Sequence, residues 1–324
     1  MAVLIEPRTG APRHVADKRR RSWRYRLDVK GSPYLYIAPF FVVFGVFGLF
    51  PLIYTAYLSM TGWRADTPGS ENRFVWFDNY TKLWHDEFFW NALKNTIGIG
   101  LISTVPQLMM ALGLAHLLNY RMRGRTFIRM GVLLPNITSV AAVTIIFSQL
   151  FGRDYGFINW LLGLFGVHHI EWQAGKLTSW IAISVIVTWR WTGYNALIYL
   201  AAMQAVPFDL YESAAIDGAS RWRQFGSITV PLLRPTILFT VVVSTIGALQ
   251  LFGEPLLFNV SQTPTSGGSQ HQFQTLALYT YDQFFQKFKY GYGAAISWAM
   301  FGVIAIFVIV NFALARRLRG VDAS

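Results

Sequence analysis

The chain has 324 residues, of which 53% are hydrophobic and 14% charged, with a formal net charge of +12. Soluble domains carry about 25% charged residues, so this composition excludes an ordinary soluble globule and points to a bilayer as solvent. The absence of cysteine excludes disulfides, thiolate metal sites and cysteine nucleophiles. The positive charge falls in clusters between apolar runs, the distribution of membrane topology rather than of a nucleic-acid-binding face.

Residues 1–32 hold nine of the 28 lysines and arginines, including Lys18-Arg19-Arg20-Arg21. They are expected to form a basic, flexible cytoplasmic tail. The apolar run that follows, 34–60, is longer than a signal-peptide core of roughly 7–15 residues, so it is expected to be a retained first span. A spanning helix needs roughly 20 predominantly apolar residues. Five more runs meet that length: 92–118, 127–151, 179–203, 236–258 and 292–315. Residues 33–320 are therefore expected to be one six-helix, all-α integral membrane domain. Pro51, Pro106, Pro135 and Pro255 lie within or near these runs, where they kink helices.

Charge orients the spans. Nineteen Lys and Arg lie in residues 1–32, 121–129, 221–234 and 316–319, against eight on the opposite side, Arg64, Arg73, Lys82, Lys94, Arg153, Lys176, Lys287 and Lys289. The excess belongs in the cytoplasm, which puts both termini and the segment 204–235 on that side. The opposite loops, 61–91, 152–177 and 259–290, are rich in aromatic residues, as suits the headgroup interface. No G-x-x-x-x-G-K-[ST] loop occurs; Gly175-Lys176 is followed by Leu177. The chain thus lacks an evident cradle for nucleotide phosphates. His168 and His169 are adjacent and would point about 100° apart on a helix, a poor arrangement for one metal, and no metal site is expected. His116 and His271 are isolated, which suits core or interface roles.

The segment 211–235 is a polar, helix-prone island between two apolar runs. Ala214, Ala215 and Ala219 supply helix propensity, and Glu212 places negative charge near a helix start. Gly218 and Pro231 limit or bend the element. Glu212-Ser213-Ala214, Asp217-Gly218-Ala219, Phe225, Ile228, Pro231 and Pro235 together resemble the EAA signature of ABC importer permeases. The six-span layout, from about residue 34 to the end, is similar to the binding-protein-dependent sugar permease branch of maltose and cellobiose type. Two departures are visible, Ser213 at the middle alanine position and Val230 in place of the leucine before Pro231.

The resemblance implies a type I ABC importer permease fold and a multi-pass subunit of a prokaryotic cell membrane. It implies that Glu212, Ala214, Asp217, Gly218, Ala219 and Pro231 form a coupling helix seated in a cleft of a cytoplasmic ATPase. The implied partners are a homologous permease chain making a heterodimer, two ATPase subunits and an extracytoplasmic sugar-binding protein. ATP would be held by the ATPase subunits, no cofactor by this chain, and the chain itself would not be an enzyme.

A second constellation lies within the spans. Arg190, Asn195, Gln250 and Glu254 fall in the fourth and fifth runs, with Trp189, Trp191 and Tyr194 around the first pair. An ionisable residue costs at least about 2.5 kcal/mol in a span and so faces a cavity or a partner. Trp191, Tyr194, Asn195, Gln250 and Glu254 offer the hydrogen bonds and stacking faces that sugars need, and are candidates for a solute path. Equally, Arg190 and Glu254 can pair with each other and bridge helices. The segment 249–258 resembles the fifth-span end of sugar permeases. After it, Thr263 and Gly267-Gly268 match a turn of relatives in which proline stands where this chain has Ser269. That variant is similar to cellobiose-type permeases, so a di- or oligosaccharide is the expected solute. The alternatives are another solute, such as glycerol phosphate or a polyamine, and an ion-gradient transporter, which would have no use for the 212–235 signature.

Overall fold

Helices make up nearly all of the computed structural model, which describes residues 23–70, 73–120, 123–258 and 264–321. Among these residues there is no strand, only an isolated bridge between Thr61 and Phe74. Contacts divide the chain into a part up to Thr55 and a part from Ala56 onward.

In the first part, α1 (Trp23–Phe44) continues through a π turn (Gly45–Leu49) into α2 (Phe50–Ser59). The helix thus begins at Trp23, inside the stretch expected to be a flexible tail; residues 1–22 of that tail lie outside the described residues. The π turn has a cause in the sequence. Pro51 has no N–H to give to the preceding turn, and the Phe50 N–H reaches back five residues to Gly45 O.

The second part carries α3 (Asp78–Trp84), α4 (Glu87–Asn119), α5 (Arg125–Ile137), α6 (Val140–Leu150), α7 (Phe157–Gly163) and α8 (Lys176–Gln204). After these come α9 (Asp209–Ile216), α10 (Arg221–Gln224), α11 (Val230–Leu232), α12 (Arg234–Leu249), α13 (Gly253–Phe258), α14 (Leu276–Tyr281) and α15 (Tyr290–Val321). Asp86 caps α4, accepting from the Phe88 N–H at 2.9 Å.

The most extensive packing is α4 against α8. Small residues let the two backbones approach, Ala111 and Ala115 on one helix and Ala182 and Ala196 on the other, all fully buried. Hydroxyls stitch the seam, Ser184 Oγ to Ile99 O at 3.2 Å and Thr188 Oγ1 to Ser103 O at 3.3 Å. Gly193 is the most closely approached of the described glycines. A Cβ there would sit 1.8 Å from the Val132 carbonyl oxygen of α5. Gly193→Val is accordingly expected to cost about 1–3 kcal/mol by overpacking, read as a lower thermal midpoint of the purified subunit in detergent.

Among the described residues, three helices are long and apolar enough to cross a membrane: Gly31–Ser59, Glu87–Asn119 and Tyr290–Ala313. Two bent pairs raise the number to five. α8, the expected fourth span, is 29 residues long and is not one of these three; its middle carries Arg190 and Asn195.

Two expected spans are broken rather than continuous. The run 127–151 is α5 and α6, bent by 87°. At the bend the Thr138 hydroxyl takes the Leu134 carbonyl at 2.8 Å, replacing the ladder bond that would have carried α5 onward. The run 236–258 stops at Leu249 and resumes at Gly253. Pro255 has no N–H for the Leu251 carbonyl, which instead accepts from Thr275 Oγ1 at 2.7 Å.

Candidate coupling surface and solute path

The island 204–235 is not one helix but a chain of short ones. Asp209 and Glu212 occupy the first turn of α9, where carboxylates suit the positive end of the helix dipole. The C-terminus is closed in a Schellman arrangement. Gly218, at φ +76°, follows the cap residue Asp217. The Gly218 N–H meets Ala215 O at 3.1 Å and the Ala219 N–H meets Ala214 O at 2.9 Å. The sequence Asp-Gly-Ala is thus explained by backbone geometry: the left-handed position favours glycine.

Ser220 then caps α10, and a second π turn, Phe225–Thr229, precedes Pro231 by the same two-residue offset seen at Pro51. The stretch Arg221–Leu232 meets α12 at a 69° bend. Tyr211 and Thr229 share a hydrogen bond of 2.9 Å, which ties α9 to the strut that follows.

This assembly is fixed to the transmembrane core along one side. The His116 ring of α4 lies 4.3 Å from the Phe225 ring and accepts or donates to the Tyr120 hydroxyl at 2.9 Å. Arg221 lies over the Tyr120 ring at 5.1 Å. Leu233 is buried among Ala111, Ala115 and Leu118 of α4 and Tyr199, Leu200 and Met203 of α8. The other side is bare. Leu210, Ile216 and Phe208 are exposed, Ile216 at 87%. Glu212, Asp217 and Gly218 are exposed beside them, while Ala214, Ala219 and Pro231 are half-buried. The carboxylates of Glu212 and Asp217 have no hydrogen-bond or ion-pair partner among the described residues. Sequence reasoning set Tyr211 at the start of the island and gave His116 a core or interface role, but the contacts they make, to Thr229 and to Tyr120 and Phe225, gave no local signal.

The intramembrane residues separate into two groups. Arg190 and Glu254, 7% and 4% exposed, form an ion pair with Nη1 to Oε1 at 2.5 Å. Of the two roles open to Glu254, the structure places it in this pair. The pair fastens α13 to α8 beside the break in the fifth run, and the Arg190 Nε is left without a partner. Asn195 is also buried, its Nδ2 3.4 Å from Ser244 Oγ of α12. Trp191 and Tyr194, which fall between Arg190 and Asn195 around α8, are instead 37% and 39% exposed, edge to face at 5.8 Å. Gln250 is exposed at the C-cap of α12, within the break, and shares no hydrogen bond with Asn195.

A third polar centre escaped the sequence reading. Asp86 Oδ2 accepts from the hydroxyls of Tyr279 (2.5 Å) and Tyr292, holding α14 and the start of α15 to the start of α4. Burial first, and then the Asp86 carboxylate, push the Tyr279 phenol above its ordinary range, so it remains a donor. The only local signal was Asp86 standing before an apolar run, a cap pattern.

A helical membrane protein with broken spans, and with a short, capped, outward-facing helix fixed to its core, is the class that this fold defines. Residues 107–320 match the family described as "Binding-protein-dependent transport system inner membrane component". The chain is 35% identical over 306 residues to the lactose transport system permease protein of Rhizobium radiobacter, covering 93% of this chain and 99% of that one. It is 31% identical to the trehalose/maltose transport system permease protein of Thermococcus litoralis, covering 87% and 93%. It is 32% identical to the arabinooligosaccharides transport system permease protein of Bacillus subtilis, covering 90% of each. The fold matches, with a TM-score of 0.74 and 24% identity, a chain of a bacterial ABC transporter involved in importing the polysaccharide alginate, covering 92% of this chain and 99% of that one. This chain belongs to the family of inner membrane components of binding-protein-dependent transport systems.

Proposed function

We propose that the chain is one of two permease subunits of an ATP-driven importer for a di- or oligosaccharide. The carrying observation is the exposed face of α9 and its flanks, in which two unpaired carboxylates lie among exposed apolar side chains on a helix fixed to α4 and α8. Such a surface suits docking of a separate protein, and the chain lacks a phosphate-binding loop of its own. The solute class is supported by the relatives, whose names specify lactose, trehalose/maltose and arabinooligosaccharides.

In this reading there are six spans: α1 with α2, α4, α5 with α6, α8, α12 with α13, and α15. Both termini and α9 are cytoplasmic, and residues before the first span form a basic tail. A homologous permease completes the pathway as a heterodimer, two cytoplasmic ATPase subunits hold ATP, and an extracytoplasmic binding protein delivers the sugar. Closure of the ATPases moves α9, and its fixings pass that motion to α4 and α8. Trp191 and Tyr194 present aromatic faces, and Gln250 a free amide, to the sugar.

The test is reconstitution in liposomes with the cognate ATPase and binding protein, followed by uptake of labelled lactose, trehalose and arabinotriose beside glycerol 3-phosphate and spermidine. ATP-dependent uptake of a glycoside supports the proposal; uptake without ATP, or of the non-sugar solutes alone, refutes it. In the same assay Gln250→Ala is expected to raise the half-saturating sugar concentration roughly two- to tenfold, the worth of one hydrogen bond of about 0.5–1.5 kcal/mol. Assembly with the ATPase, read by co-purification, is expected to be unchanged.

A further inference from the structure

The short helix α7, between the bent pair and α8, is apolar all round but covered on one side only. Its inner face is fastened firmly. Ile158 and Leu162 pack against a core containing Phe151 and Trp172. Asn159, 1% exposed, donates to the carbonyls of Arg153 at 2.9 Å and Ile170 at 3.0 Å, and accepts from the Trp172 indole at 2.9 Å. At about 100° per residue, Ile158, Asn159 and Leu162 form one face, and Phe157, Trp160, Leu161 and Leu164 form the other.

That other face is bare. Phe157, Trp160 and Leu164 are 51%, 60% and 64% exposed, and Phe165, in the turn that follows, is 79% exposed. A helix on an aqueous surface turns polar residues outward. Here residues 156–167 contain no charge, and the charged side chains stand at the margins, Arg153 paired with Glu171 at 2.7 Å. In the topology proposed above, the segment follows the bent pair α5–α6 and leads into α8, so both of its ends lie at one membrane surface. α7 also touches α6, whose Ile145 and Ile146 are 45% and 58% exposed, so the bare apolar surface continues from the bent pair onto α7.

We infer that the outer face of α7, with Leu164 and Phe165, lies in the boundary between lipid headgroups and acyl chains and anchors this loop to the bilayer surface. Trp, Phe and Leu with flanking charges are the side chains that partition there. The Asn159 clamp fixes the helix in the plane of the protein surface, so the anchor needs no refolding on contact with lipid. The inference does not depend on which solute is carried.

The lack of native cysteine makes the test direct. Single cysteines are placed by Leu164→Cys, Phe165→Cys and, as an aqueous reference, Tyr155→Cys, whose site is 100% exposed. Each is spin-labelled in the assembled transporter in nanodiscs of phosphatidylethanolamine and phosphatidylglycerol. Collision with oxygen and with a water-soluble nickel chelate is then measured. The expected result at 164 and 165 is oxygen accessibility exceeding nickel accessibility, at a depth of about 5–10 Å, with the order reversed at 155. Nickel accessibility at 164 and 165 equal to that at 155 overturns the proposal. Shielding of both sites from both reagents also overturns it, since a protein partner then covers the face. Either of the two sites alone decides the matter if the other variant fails to assemble.

Discussion

Glu212→Lys is expected to abolish coupled transport while leaving the subunit folded and in the membrane. The carboxylate of Glu212 is exposed and has no hydrogen-bond or ion-pair partner among the described residues, so reversing its charge breaks no such tie in the fold. What it alters is the docking surface. Truncating one partner of a buried interfacial charge pair costs about 2–5 kcal/mol, and a reversal adds repulsion. Substrate-stimulated ATP hydrolysis and uptake should therefore fall together by roughly 30-fold or more, since each 1.4 kcal/mol is a factor of ten. Gly218→Val tests the same surface through the backbone. Nothing lies within 4 Å of a Cβ there, so any loss comes from the φ of +76° and not from a clash inside the chain. Left-handed geometry costs a residue with a Cβ about 1–2 kcal/mol, most for a β-branched one, and the Schellman bonds that close α9 would open to relieve it. Both variants should reach wild-type abundance in membranes and fail to stimulate the ATPase. Normal stimulated hydrolysis in either would remove α9 as the site of coupling.

The long apolar helices were legible because the physics that selects them is local. An apolar run of sufficient length reads as a helix in lipid wherever its partners lie, so α4 and α15 contain the runs expected of them. The closure of α9 was equally legible, since Asp217-Gly218-Ala219 satisfies its carbonyls within six residues. The breaks were not. Proline marked where the ladder weakens, but whether the helix stops depends on what takes the freed carbonyl. At Pro106 the helix continues through the proline. At Pro255 it is interrupted, where a hydroxyl 24 residues away, on Thr275, satisfies Leu251 O. A run of residues cannot announce a partner at that distance. Arg190 and Glu254 illustrate the same limit from the other side. Their charge in an apolar setting was obvious, and their mutual pairing was one of two open readings. Only the fold, by carrying α13 back against α8, chose between them.

That choice makes a prediction that separates a structural tie from a sugar contact. Glu254→Gln leaves the Arg190 guanidinium buried without its counter-charge, and breaking a buried pair from one side costs about 3–5 kcal/mol. The variant should show a much lower thermal midpoint and reduced amounts in membranes. Arg190→Met, which strands the carboxylate, should do the same. Replacing both, Arg190→Met with Glu254→Leu, removes the stranded charge together with the pair. Buried pairs exchanged for apolar residues of similar volume are often neutral or stabilising, so this double variant should recover most of the lost stability. Sugar uptake then discriminates. If the pair serves to fasten α13 beside the break, a well-packed apolar contact replaces it and uptake returns with stability. If Glu254 instead binds sugar during the cycle, the double variant is stable and remains inactive. The geometry favours the first outcome, because Glu254 is 4% exposed and already engaged with Arg190, whereas Gln250, four residues earlier, is exposed and its amide has no partner among the described residues.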